Sequence, residues 1–106
     1  MKRCPVGKFY DEDESSCVSK IGTIAQDIDN GISFYESGLE HGSQHIIGRA
    51  WSVYHRLLSV KEKNKLRQKY PNLHELTTTD TYGDGWKDSK IRNKARQEIQ
   101  EIKRRM

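Results

Sequence analysis

The side chains best suited to chemistry in this chain are Cys4, Cys17, His41 and His45. Thiolates and imidazoles are zinc ligands, and two of each make a tetrahedral set. His41 and His45 lie four residues apart, so a helix that starts early enough presents both on one face. The cysteines, however, enclose twelve residues, where a zinc knuckle encloses about two to four. Ser43 as a helix cap would also leave His41 outside. The same two cysteines could instead form a disulfide, worth roughly 3 kcal/mol in the loop-entropy model, or pack as small buried side chains. Spacing alone leaves all three readings open.

A second candidate is Asp80, Asp84, Gly85 and Asp88, which fall at positions one, five, six and nine of a calcium-loop frame. Tyr82 and Ile91 then occupy positions three and twelve, where carboxylates belong, so the two-oxygen ligand is missing and calcium is not expected. The other histidines, His55 and His74, are far apart in sequence, and no glycine-rich phosphate loop, nucleophile elbow or His-Glu-x-x-His occurs. The sequence points away from an enzyme and implies no cofactor.

Charge is distributed unevenly. Residues 1–40 carry four Lys/Arg and eight Asp/Glu, a balance of −4, while residues 41–106 carry fifteen and seven, a balance of +8. A basic second part suits a polyanion or an acidic protein surface, but two oppositely charged halves also suit each other. For nucleic acid the candidates are Lys90, Arg92, Arg96, Lys103, Arg104 and Arg105, with Tyr70, Tyr82 and Trp86 available for base stacking. No known nucleic-acid signature accompanies them.

The elements that would position these groups follow from hydrophobic period. Residues 4–18 read as two short extended segments around the polar Asp11–Ser16 turn, a hairpin or extended arm. Ile21, Ile24, Ala25, Ile28, Ile32, Tyr35 and Leu39 recur every three or four residues, predicting a helix capped by Ser19 and ended by Gly38 or Gly42, with Asn30-Gly31 as a place to break. Ile46, Ile47, Ala50, Trp51, Tyr54, Leu57 and Leu58 predict a second helix from Ser43, with Trp51 and Tyr54 supplying the centre of the core and Gly48 letting another backbone approach. Ser59 and Glu62 match a capping box opening a short basic helix that Pro71 stops. Residues 72–88 read as a long loop. The last helix starts near Asp88 or Ser89 and carries Ile91, Ala95, Ile99, Ile102 and Met106 as a stripe one residue wide, the form of a docking seam.

Cys4-Pro5-x-Gly7 followed by Cys17-Val18 resembles the short two-cysteine element of small bacteriophage and large DNA virus proteins. The resemblance covers residues 4–18 and implies a docking hairpin on a component of a virus particle.

The expectation is therefore a mainly α protein, a small three- or four-helix bundle (residues 19–106) behind a two-cysteine hairpin or arm (residues 1–18). Only 33% of the residues are hydrophobic and 32% are charged, so the core is sparse for a domain of this size. No run of apolar residues is long enough to cross a membrane, and no apolar stretch follows Lys2-Arg3 as in a secretory signal. The function expected is structural or accessory: docking onto a larger protein assembly through the last helix, in the cytoplasm of a host cell or within a virus particle. Nucleic acid bound by residues 41–106 is the alternative, and a second copy of the chain is a further candidate partner.

Overall fold

The computed structural model describes residues 3–105, apart from the side chains of Glu40 and His41; Met106 and the His41 imidazole thus lie outside the described residues. The chain is mainly α with a small N-terminal hairpin. Strands β1 (Lys8–Asp11) and β2 (Ser16–Ser19) run antiparallel, with Phe9 opposite Val18 and Tyr10 opposite Cys17. A two-stranded ribbon alone is marginal in water. Here a Cys4–Cys17 disulfide ties the preceding arm to β2, and Phe9 packs against the helical core.

Helix α1 (Lys20–Glu36) forms as its period requires: the Ser19 hydroxyl accepts the Gly22 N–H at 3.0 Å. Ile24, Ala25, Ile28 and Ile32 are fully buried. The helix passes through Asn30-Gly31 without a break, because Gly31 is held by packing. A Cβ there would sit 2.5 Å from Ile47 Cγ2 and 3.1 Å from the Trp86 ring. Among the described residues no backbone approaches Gly48, which has nothing within 4 Å of a Cβ position; the glycine packed closely is Gly31, and its neighbours are side chains. Gly38 ends the segment with φ +84°, the left-handed conformation that costs glycine little.

The second predicted helix begins earlier and is divided into three pieces. These are α2 (Glu40–Ile46), α3 (Gly48–Ser52) and a single π turn (Val53–Leu57) in which the Leu58 N–H reaches back to the Val53 carbonyl at 3.1 Å. Ser43 is not a cap. It lies inside α2, fully buried, and donates its hydroxyl to the Gly31 carbonyl at 3.1 Å. The predicted capping box is present at α4 (Val60–Lys69), where Ser59 and Glu62 exchange both hydrogen bonds.

The expected loop at 72–88 is mostly helix: α5 (Pro71–Thr78) and the short α6 (Asp84–Lys87). Threonine runs oppose helix by restricting χ1, but Thr77, Thr78 and Thr79 each donate their hydroxyl to the carbonyl four residues back, at 2.7–2.9 Å. The start of α5 has no cap from its own Tyr70. Glu98, 25 residues away on the last helix, supplies one: its carboxylate accepts the Asn72 and Leu73 backbone N–H groups and the Asn72 amide at 2.7–3.3 Å.

Helix α7 (Ser89–Arg104) starts at Asp88, which caps Lys90 N–H at 2.9 Å. Its stripe corrects the docking expectation. Ala95 and Ile99 are fully buried, Ile102 nearly so, and Ile91 packs against the same core. The partner of this seam is the chain itself, chiefly α1 and α5. Among the described residues seven α-helices, from four to 17 residues long, pack around one core in place of the simple bundle.

Candidate docking surface around Trp51

The two tryptophans exchange their expected places. Trp86, offered as a base-stacking side chain, is 0% exposed and donates its indole N–H to the Leu76 carbonyl at 2.9 Å. Trp51, expected at the core centre, is 47% exposed. The reason lies in Val53, which the sequence reading left out of the apolar face. Ile47, between α2 and α3, Ala50 of α3, and Val53 and Tyr54 of the π turn form the buried arc, and this turns Trp51 to its margin.

Trp51 is held there by its neighbours. The His55 ring packs against it, tilted by 44°, at 4.3 Å between centroids, and Tyr54 meets His55 edge-on at 4.9 Å. The Tyr54 hydroxyl bonds His74 Nε2 on α5 at 2.8 Å, and Lys63 Nζ lies 5.3 Å from the Tyr54 ring centre. Burial, and then Lys63, depresses the His55 pKa; burial, and then Arg67, depresses that of His74. Both imidazoles are thus biased toward the neutral form, which keeps this face aromatic rather than charged.

Beside Trp51 runs a groove of about 290 Å³, lined by Gln44, Ile47, Gly48 and Trp51 on one side and Thr78, Thr79 and Asp80 on the other. Gln44 is fixed by the Thr81 N–H and hydroxyl at 3.0 and 2.6 Å. Space above Gly48 is open, with nothing within 4 Å of where a Cβ would stand. The groove thus has one side chain fixed by hydrogen bonds, a Cβ-free point at Gly48 and an indole in its lining.

The expected nucleic-acid residues do not form one free patch. Glu36 binds both Arg92 (3.0 Å) and Arg96 (2.6 Å), Asp29 binds Lys103 (2.9 Å), and Glu101 binds Arg105 (2.7 Å). Arg92 also donates to the Trp86 carbonyl and covers the Tyr35 ring at 5.1 Å. Among the described residues Lys90 and Arg104 make no ion pair. Tyr70 is buried like Trp86, while Tyr82 is exposed. Of the two meanings of the charge asymmetry, these contacts realise the internal one: Asp29 and Glu36 of α1 hold cations of α7, and Asp11 of the hairpin holds Arg49.

The metal candidates fare differently from one another. Cys4 and Cys17 are bonded to each other, which removes both thiolates from the zinc set with His41 and His45. No group of three metal-ligating side chains forms among the described residues, and the Asp80 carboxylate instead accepts the Tyr82 N–H at 2.9 Å. No described helix is long and apolar enough to cross a membrane.

A polar depression of about 340 Å³ lies between the hairpin, α1, α3 and α7 and contains Asp11, Glu14, Asp27, Arg49 and Lys103. Burial raises the Asp27 pKa to about 6, against a smaller lowering by the Ala50 backbone amide. Its Oδ2 is buried with no hydrogen-bond partner among the described residues. A folded-state pKa above the unfolded value stabilises the fold fully below the unfolded pKa, near 4, and that contribution is lost as pH rises through about 6. Asp27→Asn should therefore be more stable than the parent at pH 7.5, and the difference should shrink toward pH 4. A shift of this size discounted for a half-exposed group gives about 1 kcal/mol. Urea titrations at the two pH values check it; a difference that does not change with pH would refute it.

No protein-family model matches the chain, and neither the curated proteins nor the solved structures searched include one significantly similar to it.

Proposed function

We propose that the chain is a non-enzymatic structural or accessory protein that docks onto a larger assembly through the groove beside Trp51. The supporting observation is the half-exposed indole, packed against His55 beside a groove whose wall is opened by Gly48. Large aromatic side chains beside a preformed depression are the usual anchors of protein interfaces, and a side chain already fixed, as Gln44 is, lowers the cost of ordering on binding. The two-cysteine resemblance makes a virus or phage particle the first assembly to test. The Cys4–Cys17 disulfide fits a finished particle outside a cell better than reducing cytoplasm.

Replacing Trp51 by a photo-cross-linking phenylalanine, in cells that make the assembly, should give one discrete protein adduct. The same probe at exposed Gln97 should give none. Gly48→Trp, which fills the groove, should remove the adduct formed by a probe at Thr79. Trp51→Ala should shift folding stability by no more than about 0.5 kcal/mol, as expected of a surface position. Equal labelling at 51 and 97, or an adduct destroyed by nuclease and weakened by salt, would replace this reading with none or with nucleic acid.

A further inference from the structure

Helix α4 does not close fully against α1 and α7, and the gap is a crevice of about 540 Å³. It shares no residue with the Trp51 groove. Its apolar lining is Ile21 from α1, Leu66 and Tyr70 from α4 and its end, and Ile102 from α7. The polar lining is one-sided: Lys65, Lys69 and Arg105, with Gln68 and Ser19, and no carboxylate among the described lining residues. Lys65 and Lys69 are one helical turn apart and both exposed. Neither makes an ion pair among the described residues, in contrast to Arg105, which binds Glu101 at 2.7 Å. Elsewhere on this protein cations of α7 are answered by acids of α1; here three cations meet around an apolar floor with one carboxylate outside the lining.

We infer that this crevice binds a small anionic amphiphile, a carboxylate carrying a single apolar chain. The volume lies within the range of small-molecule sites, about 300–1,000 Å³. Leu66, Tyr70 and Ile102 are nearly fully buried and form only the floor, so an apolar chain laid in the crevice covers chiefly Ile21 and the alkyl stems of Lys65, Lys69 and Arg105, and removes its own surface and theirs from water. The carboxylate then sits at the mouth among Lys65, Lys69 and Arg105, with the Gln68 amide as a further donor. Partial desolvation by the crevice wall strengthens these charge contacts relative to open solvent.

The test is a titration of the full-length, isotopically labelled chain with sodium decanoate below its micelle concentration, followed by amide NMR. Saturable shifts are expected, confined to residues 19–21, 65–70 and 102–105. Acetate, which lacks the chain, should produce none. Decyltrimethylammonium, with the same chain and opposite charge, should bind at least about tenfold more weakly, as should decanoate to the Lys65→Gln/Lys69→Gln variant. That variant alters two exposed side chains, so an unchanged spectrum elsewhere certifies its fold. Absent or surface-wide shifts, equal affinity for the two detergent charges, or an unaffected double variant would each overturn the inference. So would binding of an acidic apolar peptide in the absence of decanoate binding, since that assigns the crevice to a protein partner.

Discussion

Trp86→Ala is expected to lower folding stability by about 3–5 kcal/mol, a large fraction of the about 5–15 kcal/mol that a native domain holds. Trp86 is 0% exposed and is the largest fully buried side chain. It fills the space that Gly31 leaves between α1 and the segment after α2, and its ring meets Tyr35 at 5.8 Å between centroids. Removing it opens a cavity beside Gly31 and Tyr35 of α1 and Leu76 of α5. The indole N–H that satisfies the Leu76 carbonyl at 2.9 Å is also lost, leaving a buried acceptor at the end of α5 unpaired. Trp86→Phe restores most of the volume but not the donor and should fall between parent and Ala. Urea denaturation followed by circular dichroism measures all three. With only two tryptophans in the chain, the Trp86→Ala protein reports Trp51 alone and should emit as a solvated indole before and after unfolding. A midpoint no lower than that of Trp51→Ala would place the core elsewhere.

That contrast between the tryptophans shows where sequence reading succeeded and where it stopped. Local signals were legible. The period of α1, the Ser19 and Asp88 caps, the Ser59–Glu62 box and the hairpin around residues 11–16 all depend on residues within a few positions of one another. Features set by distant contacts were not. The threonines of α5 suggested a loop because their branched side chains disfavour helix; Glu98, closing the N-terminus of that helix from α7, is invisible to any window of local sequence. The surface position of Trp51 follows from Val53 taking the core place beside Ala50 and Tyr54. The signal available was Val53 itself, an apolar residue on an adjoining face. Charge asymmetry was legible as a sum, but its meaning required knowing that Asp29 and Glu36 lie across from Lys103, Arg92 and Arg96. The alternating cysteine readings likewise awaited the proximity of the arm to β2.

The seam of α7 gives the sharpest separation between a docking stripe and a core. Ile99 is 0% exposed, so Ile99→Asp should abolish folding, whereas an unpartnered stripe would tolerate the charge and lose only its partner. Deleting the buried isoleucine volume alone costs about 2–5 kcal/mol. A carboxylate at this depth then lacks a cation: Lys103 is held by Asp29, and Arg92 and Arg96 by Glu36. Such a group stays protonated by raising its pKa rather than accept an unpaired interior charge. The variant should therefore lack cooperative unfolding at pH 7.5 and regain helix signal as pH falls through the raised pKa, the reverse of ordinary acid unfolding. Ile91→Asp, at a half-buried position one end of the same stripe, should remain folded. Circular dichroism of both variants from pH 4 to pH 8 decides the matter. If Ile99→Asp stays folded at pH 7.5, the seam is accessible after all and the docking surface belongs on α7; if it unfolds while Ile91→Asp and Trp51→Ala do not, the stripe is core and a partner must dock on surface outside it, as the proposal for Trp51 requires.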